Sequence, residues 1–93
     1  MGIVVLASVT TPGQYAAAVQ RYLNAYPGAQ YLRTDMACPS LRQRSDDGTP
    51  IYAVFYPAGY TESQLCAAVR RVGGQAYGRW LDTKTSPYEQ ITC

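Results

Sequence analysis

Residues Thr11 to Arg21 and Thr61 to Arg71 align without a gap and share six of eleven positions, namely Thr, Gln, Ala, Ala, Val and Arg. Each copy follows a β-branched run, Ile3-Val-Val-Leu-Ala-Ser-Val9 in the first half and Ile51-Tyr-Ala-Val-Phe-Tyr56 in the second. After a four-residue shortening of the second copy, Gly28-x-x-Tyr31-x-Arg33 falls on Gly74-x-x-Tyr77-x-Arg79. A deletion of that size removes about one helical turn and keeps the helix faces in register. A chain that writes one βαβ unit twice predicts the order βαββαβ. That is an α+β, ferredoxin-like split-βαβ sandwich, with a four-stranded antiparallel sheet and two helices on one face. The other face of such a sheet is expected to lie open to solvent. Ninety-three residues accommodate a single domain, with an ordered core over about 3–82 and an irregular tail over 83–93.

The elements follow from local signals. Tyr15, Ala18, Val19, Tyr22, Leu23 and Tyr26 recur at helical spacing and form one apolar face. Thr11 is the expected N-cap of that helix, with Pro12 at its first position and Pro27-Gly28 as its stop. A second strand is expected over about Gln30 to Thr34. The polar stretch Asp35 to Pro50, with Cys38-Pro39 and Asp46-Asp47-Gly48, reads as a long loop. A second helix is expected from about Glu62 to Val72, capped by Thr61, striped by Leu65, Ala68, Val69 and Val72, and ended by Gly73-Gly74. Ala76 to Leu81 reads as the last strand.

Histidine is absent, which removes the commonest general base and metal ligand. No phosphate loop or dinucleotide glycine pattern occurs, and turn chemistry accounts for Asp46-Asp47 beside Gly48. The chain is therefore expected to be a binding module and not an enzyme, with no metal and no cofactor. A net charge of +2 is small for a nucleic-acid partner. No apolar run is long enough to span a bilayer. Met1-Gly2 leads straight into a strand, as in a segment cut from a longer chain, so any membrane association is expected through an anchor outside it.

Cys38, Cys66 and Cys93 fit no zinc or redox spacing. Three cysteines in a small domain suggest one disulfide and one extra thiol. A Cys38–Cys66 bond, pinning the long loop to the second helix, is the expected pairing. Cys66–Cys93, tying down the tail, is the alternative, and three reduced thiols in a cytosolic protein are the third possibility.

Nine tyrosines against one phenylalanine suggest aromatic rings kept half wet. Alternation along the strands separates Leu32 from Tyr31 and Arg33, Phe55 from Tyr52 and Tyr56, and Trp80 from Tyr77 and Arg79. With Leu32, Phe55 and Trp80 turned to the helices, the open face would carry Tyr31, Arg33, Tyr52, Tyr56, Tyr77 and Arg79. Rings beside guanidinium groups suit sugars or extended polar chains.

The strand and turn Val4-Val-Leu-Ala-Ser-Val-Thr10 before an alanine-rich helix, and Tyr52-Ala-Val-Phe-Tyr-Pro57 with Tyr60-Thr61 before a second one, resemble the SPOR domain family. The resemblance covers nearly all of residues 3 to 82. It implies recognition of peptidoglycan glycan strands through the open sheet face. The family tends to have a Gly-Pro-aromatic turn where this chain reads Tyr56-Pro57-Ala58-Gly59-Tyr60. The cysteines and Cys38-Pro-Ser-Leu-Arg-Gln43 are more similar to a variant at the extracytoplasmic ends of some actinobacterial proteins, including membrane serine/threonine kinases. That likeness implies an extracytoplasmic setting, in the cell wall or on a membrane-anchored ectodomain. The competing expectation is a sensor or protein-interaction domain that regulates a tethered enzyme. Saturable glycan binding separates these two readings, and an RNA-binding domain and a small enzyme of the same topology are weaker rivals.

Overall fold

Two short motifs that match in sequence begin their helices differently. The computed structural model of the chain describes residues 1–89 and 91–93. Helix α2 spans Glu62–Val72 and starts on a full capping box: the Thr61 hydroxyl accepts from the Gln64 amide, and the Gln64 side chain accepts from the Thr61 amide. In helix α1, Tyr15–Ala25, the equivalent Thr11 and Gln14 form a turn instead, with the Gln14 amide donating to the Thr11 carbonyl at 3.1 Å. Pro12 and Gly13 occupy the turn's centre, and Gly13 has φ +84°, the left-handed conformation that a type II turn requires there. Thr11 is therefore not the N-cap that the sequence predicts, and α1 begins at Tyr15, where no side chain caps it.

Four strands complete the fold: β1 Gly2–Val9, β2 Gln30–Arg33, β3 Tyr52–Pro57 and β4 Tyr77–Trp80. They form one antiparallel sheet in the order β2-β3-β1-β4. This is the predicted α+β, ferredoxin-like arrangement. A bulge in β1 between Val5 and Ala7 turns both Leu6 and Ala7 toward the helices. Val9 and Val54 of the sheet pack against Ala18 and Val19 of α1, and Val4 and Trp80 against Leu65 and Ala68 of α2. Gly78 faces Leu65 so closely that a Cβ there would stand 3.0 Å from its Cγ.

The opposite face of the sheet is not open. Ile3, Val5, Ala53 and Phe55 form a second buried cluster there, flanked by Leu32 and Leu81. Their cover is the segment between β2 and β3. After a short 3₁₀ turn, Thr34–Met36, it crosses to the far edge, where Ser40 donates to the Trp80 carbonyl at 2.6 Å and accepts from the Asp82 amide at 3.0 Å. Leu41 is buried beside it. The segment returns through a tight turn in which Ser45 and Thr49 bond to each other and Gly48 takes φ +80°. Thr49 then donates to the Thr10 carbonyl at 2.7 Å, and Tyr15 donates to the Pro50 carbonyl at 2.8 Å. The polar composition of 35–50 reads as a plain solvent loop, yet this loop is a third layer of the fold.

The disulfide joins Cys66 to Cys93, with Cα atoms 5.4 Å apart, and Cys38 is free. The Cys38–Cys66 pairing expected from the sequence is thus corrected in favour of its alternative. The physical reason is placement: Cys38 sits in the crossing loop on one side of the sheet, while Cys66 is buried in α2 on the other. The tail from 83 onward is irregular, as predicted, but anchored. Ile91 packs against the α2 cluster, and Arg79 donates to the carbonyls of Pro87 and Glu89 at 3.0 and 2.9 Å.

Candidate functional site

The six expected ligand-facing residues divide between the two faces. Cross-strand register pairs Tyr31 with Val54 and Arg33 with Tyr52, while Val54 and Tyr52 lie under α1. Tyr31, Arg33, Tyr52 and Tyr56 therefore stand on the helix side, contrary to the single open face predicted for all six. Only Tyr77 and Arg79, paired with Val5 and Ile3, project from the opposite face. The prediction turned Leu32 and Phe55 to the helices because a buried side chain needs an apolar cover, and the crossing loop supplies that cover on the other side.

The four helix-side residues have local duties. Tyr56 donates to the Pro27 carbonyl at 2.9 Å and meets the edge of Tyr26 at 6.4 Å. The Tyr52 ring lies 4.8 Å from Tyr15 and 6.4 Å from Tyr31. Together with Val19 and Leu23, these rings line a cavity of about 340 Å³ beside the free edge of β2. Arg33 grips both oxygens of Asp35, at 2.7 and 3.0 Å, and Arg44 stands 3.4 Å from the same carboxylate. The hydrogen bond from Arg33 holds the Asp35 carboxyl below the usual carboxylate range.

The larger opening lies between the crossing loop and the sheet, a groove of about 440 Å³. Val5 and Ala53 of the sheet and Leu41 and Ile51 of the connecting segment give it apolar, buried walls. Tyr77, 44% exposed, lines its β4 side, with its hydroxyl 3.4 Å from that of Ser8. Exposed Arg42, Asp46 and Asp47 of the loop border it, and Arg42 donates to Asp46 at 2.7 Å. Arg79 also lines the groove, but its guanidinium lies 5.7 Å from the Tyr77 ring and serves the tail carbonyls.

Thr34, at the junction of β2 and the loop, completes the wall. Its residue is 5% exposed, and its Oγ1 has no hydrogen-bond partner among the described residues. A buried hydroxyl left unpaired costs free energy. Sequence reading missed Thr34, Ser8 and Leu41. The one available signal was Leu41, an apolar residue within the polar run from Ser40 to Thr49.

Fold and groove together define a small ferredoxin-like α+β domain whose sheet is covered by helices on one side and by a groove-forming loop on the other. No family model, curated protein or solved structure matches the chain. The disulfide is compatible with an oxidising, extracytoplasmic environment. No helix among the described residues is long and apolar enough to cross a membrane.

Proposed function

We propose that the chain is a non-catalytic, SPOR-like extracytoplasmic module that binds cell-wall peptidoglycan glycan in the groove between the crossing loop and the sheet. The observation that carries this reading is the groove's composition. An apolar floor lies beside a half-exposed tyrosine and several hydroxyl groups, which suits sugar rings with apolar faces and polar rims. The resemblance to the SPOR family supports the ligand class, and the groove replaces the bare sheet face as its place. Isothermal titration with purified glycan strands tests it. Saturable binding that weakens at least several-fold in Tyr77→Ala supports the reading, and no binding at millimolar glycan rejects it. Arg79→Ala is a poor probe, because Arg79 also fastens the tail.

A protein-interaction or sensor role beside a tethered enzyme is favoured by a different observation. The Tyr15–Tyr52–Tyr31 cavity adjoins the unpaired edge of β2, and Tyr31 is 55% exposed. Loss of partner binding in Tyr31→Ala, with glycan binding unchanged, would select this reading.

A further inference from the structure

The two edges of the sheet are finished differently. At β4 the Ser40 hydroxyl takes the Trp80 carbonyl, and Arg79 binds the tail through the Pro87 and Glu89 carbonyls. At the other edge, β2 has β3 on one side and no strand on the other. One step beyond the Arg33–Tyr52 pair, the Thr34 amide donates to the Ile51 carbonyl directly opposite it. Hydrogen-bonded pairs alternate along an antiparallel ladder, so Leu32 and Gln30 also bond to β3. The amides and carbonyls of Tyr31 and Arg33 therefore point outward. Among the described residues, no hydrogen bond from a loop or side chain reaches those groups. An edge of this kind is a template for another strand.

We propose that the strand added there is β2 of a second copy of this chain, antiparallel about a two-fold axis at Leu32. Register decides between the self-pairings that use the outward groups. Setting Tyr31 against Tyr31 brings Arg33 to Ala29, whose amide is already given to the Tyr26 carbonyl. Setting Arg33 against Arg33 places like charges directly opposite, which is unfavourable, and brings Tyr31 to Asp35 in the 3₁₀ turn. Setting Tyr31 against Arg33 of the second copy uses both outward amides and both outward carbonyls of each strand. It also stands the 55%-exposed Tyr31 beside a guanidinium on the helix side, a favourable cation–π pair, and brings Leu32 to Leu32 on the other. Each Arg33 keeps its own Asp35 carboxylate, which offsets the diagonal approach of the two guanidiniums. The pairing rests on the protein-interaction reading of this edge and gives it a partner. It leaves the glycan groove free, because no residue of β2 lines that groove.

The test is an amide-resolved NMR dilution series of the full chain, with the rotational correlation time followed alongside. A strand of 4 residues makes a small interface, so the expected dissociation constant is weak, roughly 0.1 to 1 mM. On concentration the Tyr31 and Arg33 amides should shift and the correlation time approach that of a dimer. Two variants read the register, and both lose the Tyr31 ring equally. Tyr31→Lys sets a like charge against Arg33 on each side of the axis and should weaken the dimer at least about ten-fold. Tyr31→Glu sets a carboxylate there and should stay within about three-fold of the native chain. Equal weakening by the two variants overturns the Tyr31–Arg33 register. A dimer indifferent to Tyr31→Lys, or one that disappears in Cys38→Ser, overturns β2 as the interface. A chain that stays monomeric at about 2 mM, twice the weakest expected constant, overturns the self-pairing alone. The protein-interaction reading then rests on a different partner and is judged by Tyr31→Ala.

Discussion

Ser40 links two edges of the sheet that no strand connects. Its hydroxyl donates to the Trp80 carbonyl and accepts from the Asp82 amide, and the residue is 1% exposed. Truncation to alanine leaves a part-buried amide and a part-buried carbonyl without this partner, a loss of about 1 kcal/mol. Ser40→Ala should therefore lower the urea midpoint and raise hydrogen exchange over residues 37–49 before the strands exchange. Acid acts through other residues. Hydrogen bonds from Arg33 to Asp35, and from Thr85 to Asp82, hold both carboxyls below their ordinary values. A depressed folded value means stability that is complete above the unfolded pKa, about 3.9, and lost as pH falls through the folded one. Thermal melts should thus be flat from pH 7 to 5 and fall below about pH 4. Asp35→Asn should flatten part of that fall.

At the scale of elements, the paired motifs separate what a sequence repeat specifies from what it leaves open. Thr61 caps α2, while Thr11 closes a turn before α1, although each is followed three residues later by glutamine. The difference is Gly13, whose left-handed backbone commits Pro12-Gly13 to the turn, against Ser63 in the second copy. Thr61→Ala should cost about 1 kcal/mol in chemical denaturation, the usual worth of a cap, and Thr11→Ala a few tenths at most. Strand existence and order were legible from β-branched runs and the repeat. The facing of β2 was not. The chain leaves α1 through a bond from the Ala29 amide to the Tyr26 carbonyl and leaves α2 through the matching bond from Ala76 to Gly73. That makes Gly78, not Tyr77, the structural counterpart of Tyr31. Aligning the Tyr-x-Arg motifs shifts the comparison by one residue, and in a strand one residue exchanges the two faces.

For the whole molecule, the sheet is a middle layer, and the loop that makes it so was the hardest part to read. Its hydrogen-bonding residues resemble any solvated loop, because Ser40, Ser45 and Thr49 spend their hydroxyls on distant backbone and on one another. Only the assembled sheet shows where those bonds go. The candidate site inherits this limit: Tyr77 could be placed from alternation, whereas Thr34 becomes notable only once burial leaves its hydroxyl unpaired. The Cys38–Cys66 pairing favoured from the sequence is not the one formed, and loop length could not separate it from Cys66–Cys93, since both close chain segments of nearly equal length. The observed bond spans 27 residues and, in the chain-entropy account, contributes about 3–4 kcal/mol. Cys93→Ser should lose an amount of that order in denaturant, while Cys38→Ser should leave the midpoint unchanged.

The Cys66–Cys93 bond has one more consequence. It closes a covalent ring that contains the end of α2 and the whole of β4. Tension applied to Cys93 passes directly into α2 and leaves β4 slack inside the ring. The edge strand is then not peeled away one pair at a time. A pull applied at Cys93 is therefore expected to load the packing of α2 on the sheet first, and a reductant to redirect the same pull onto β4.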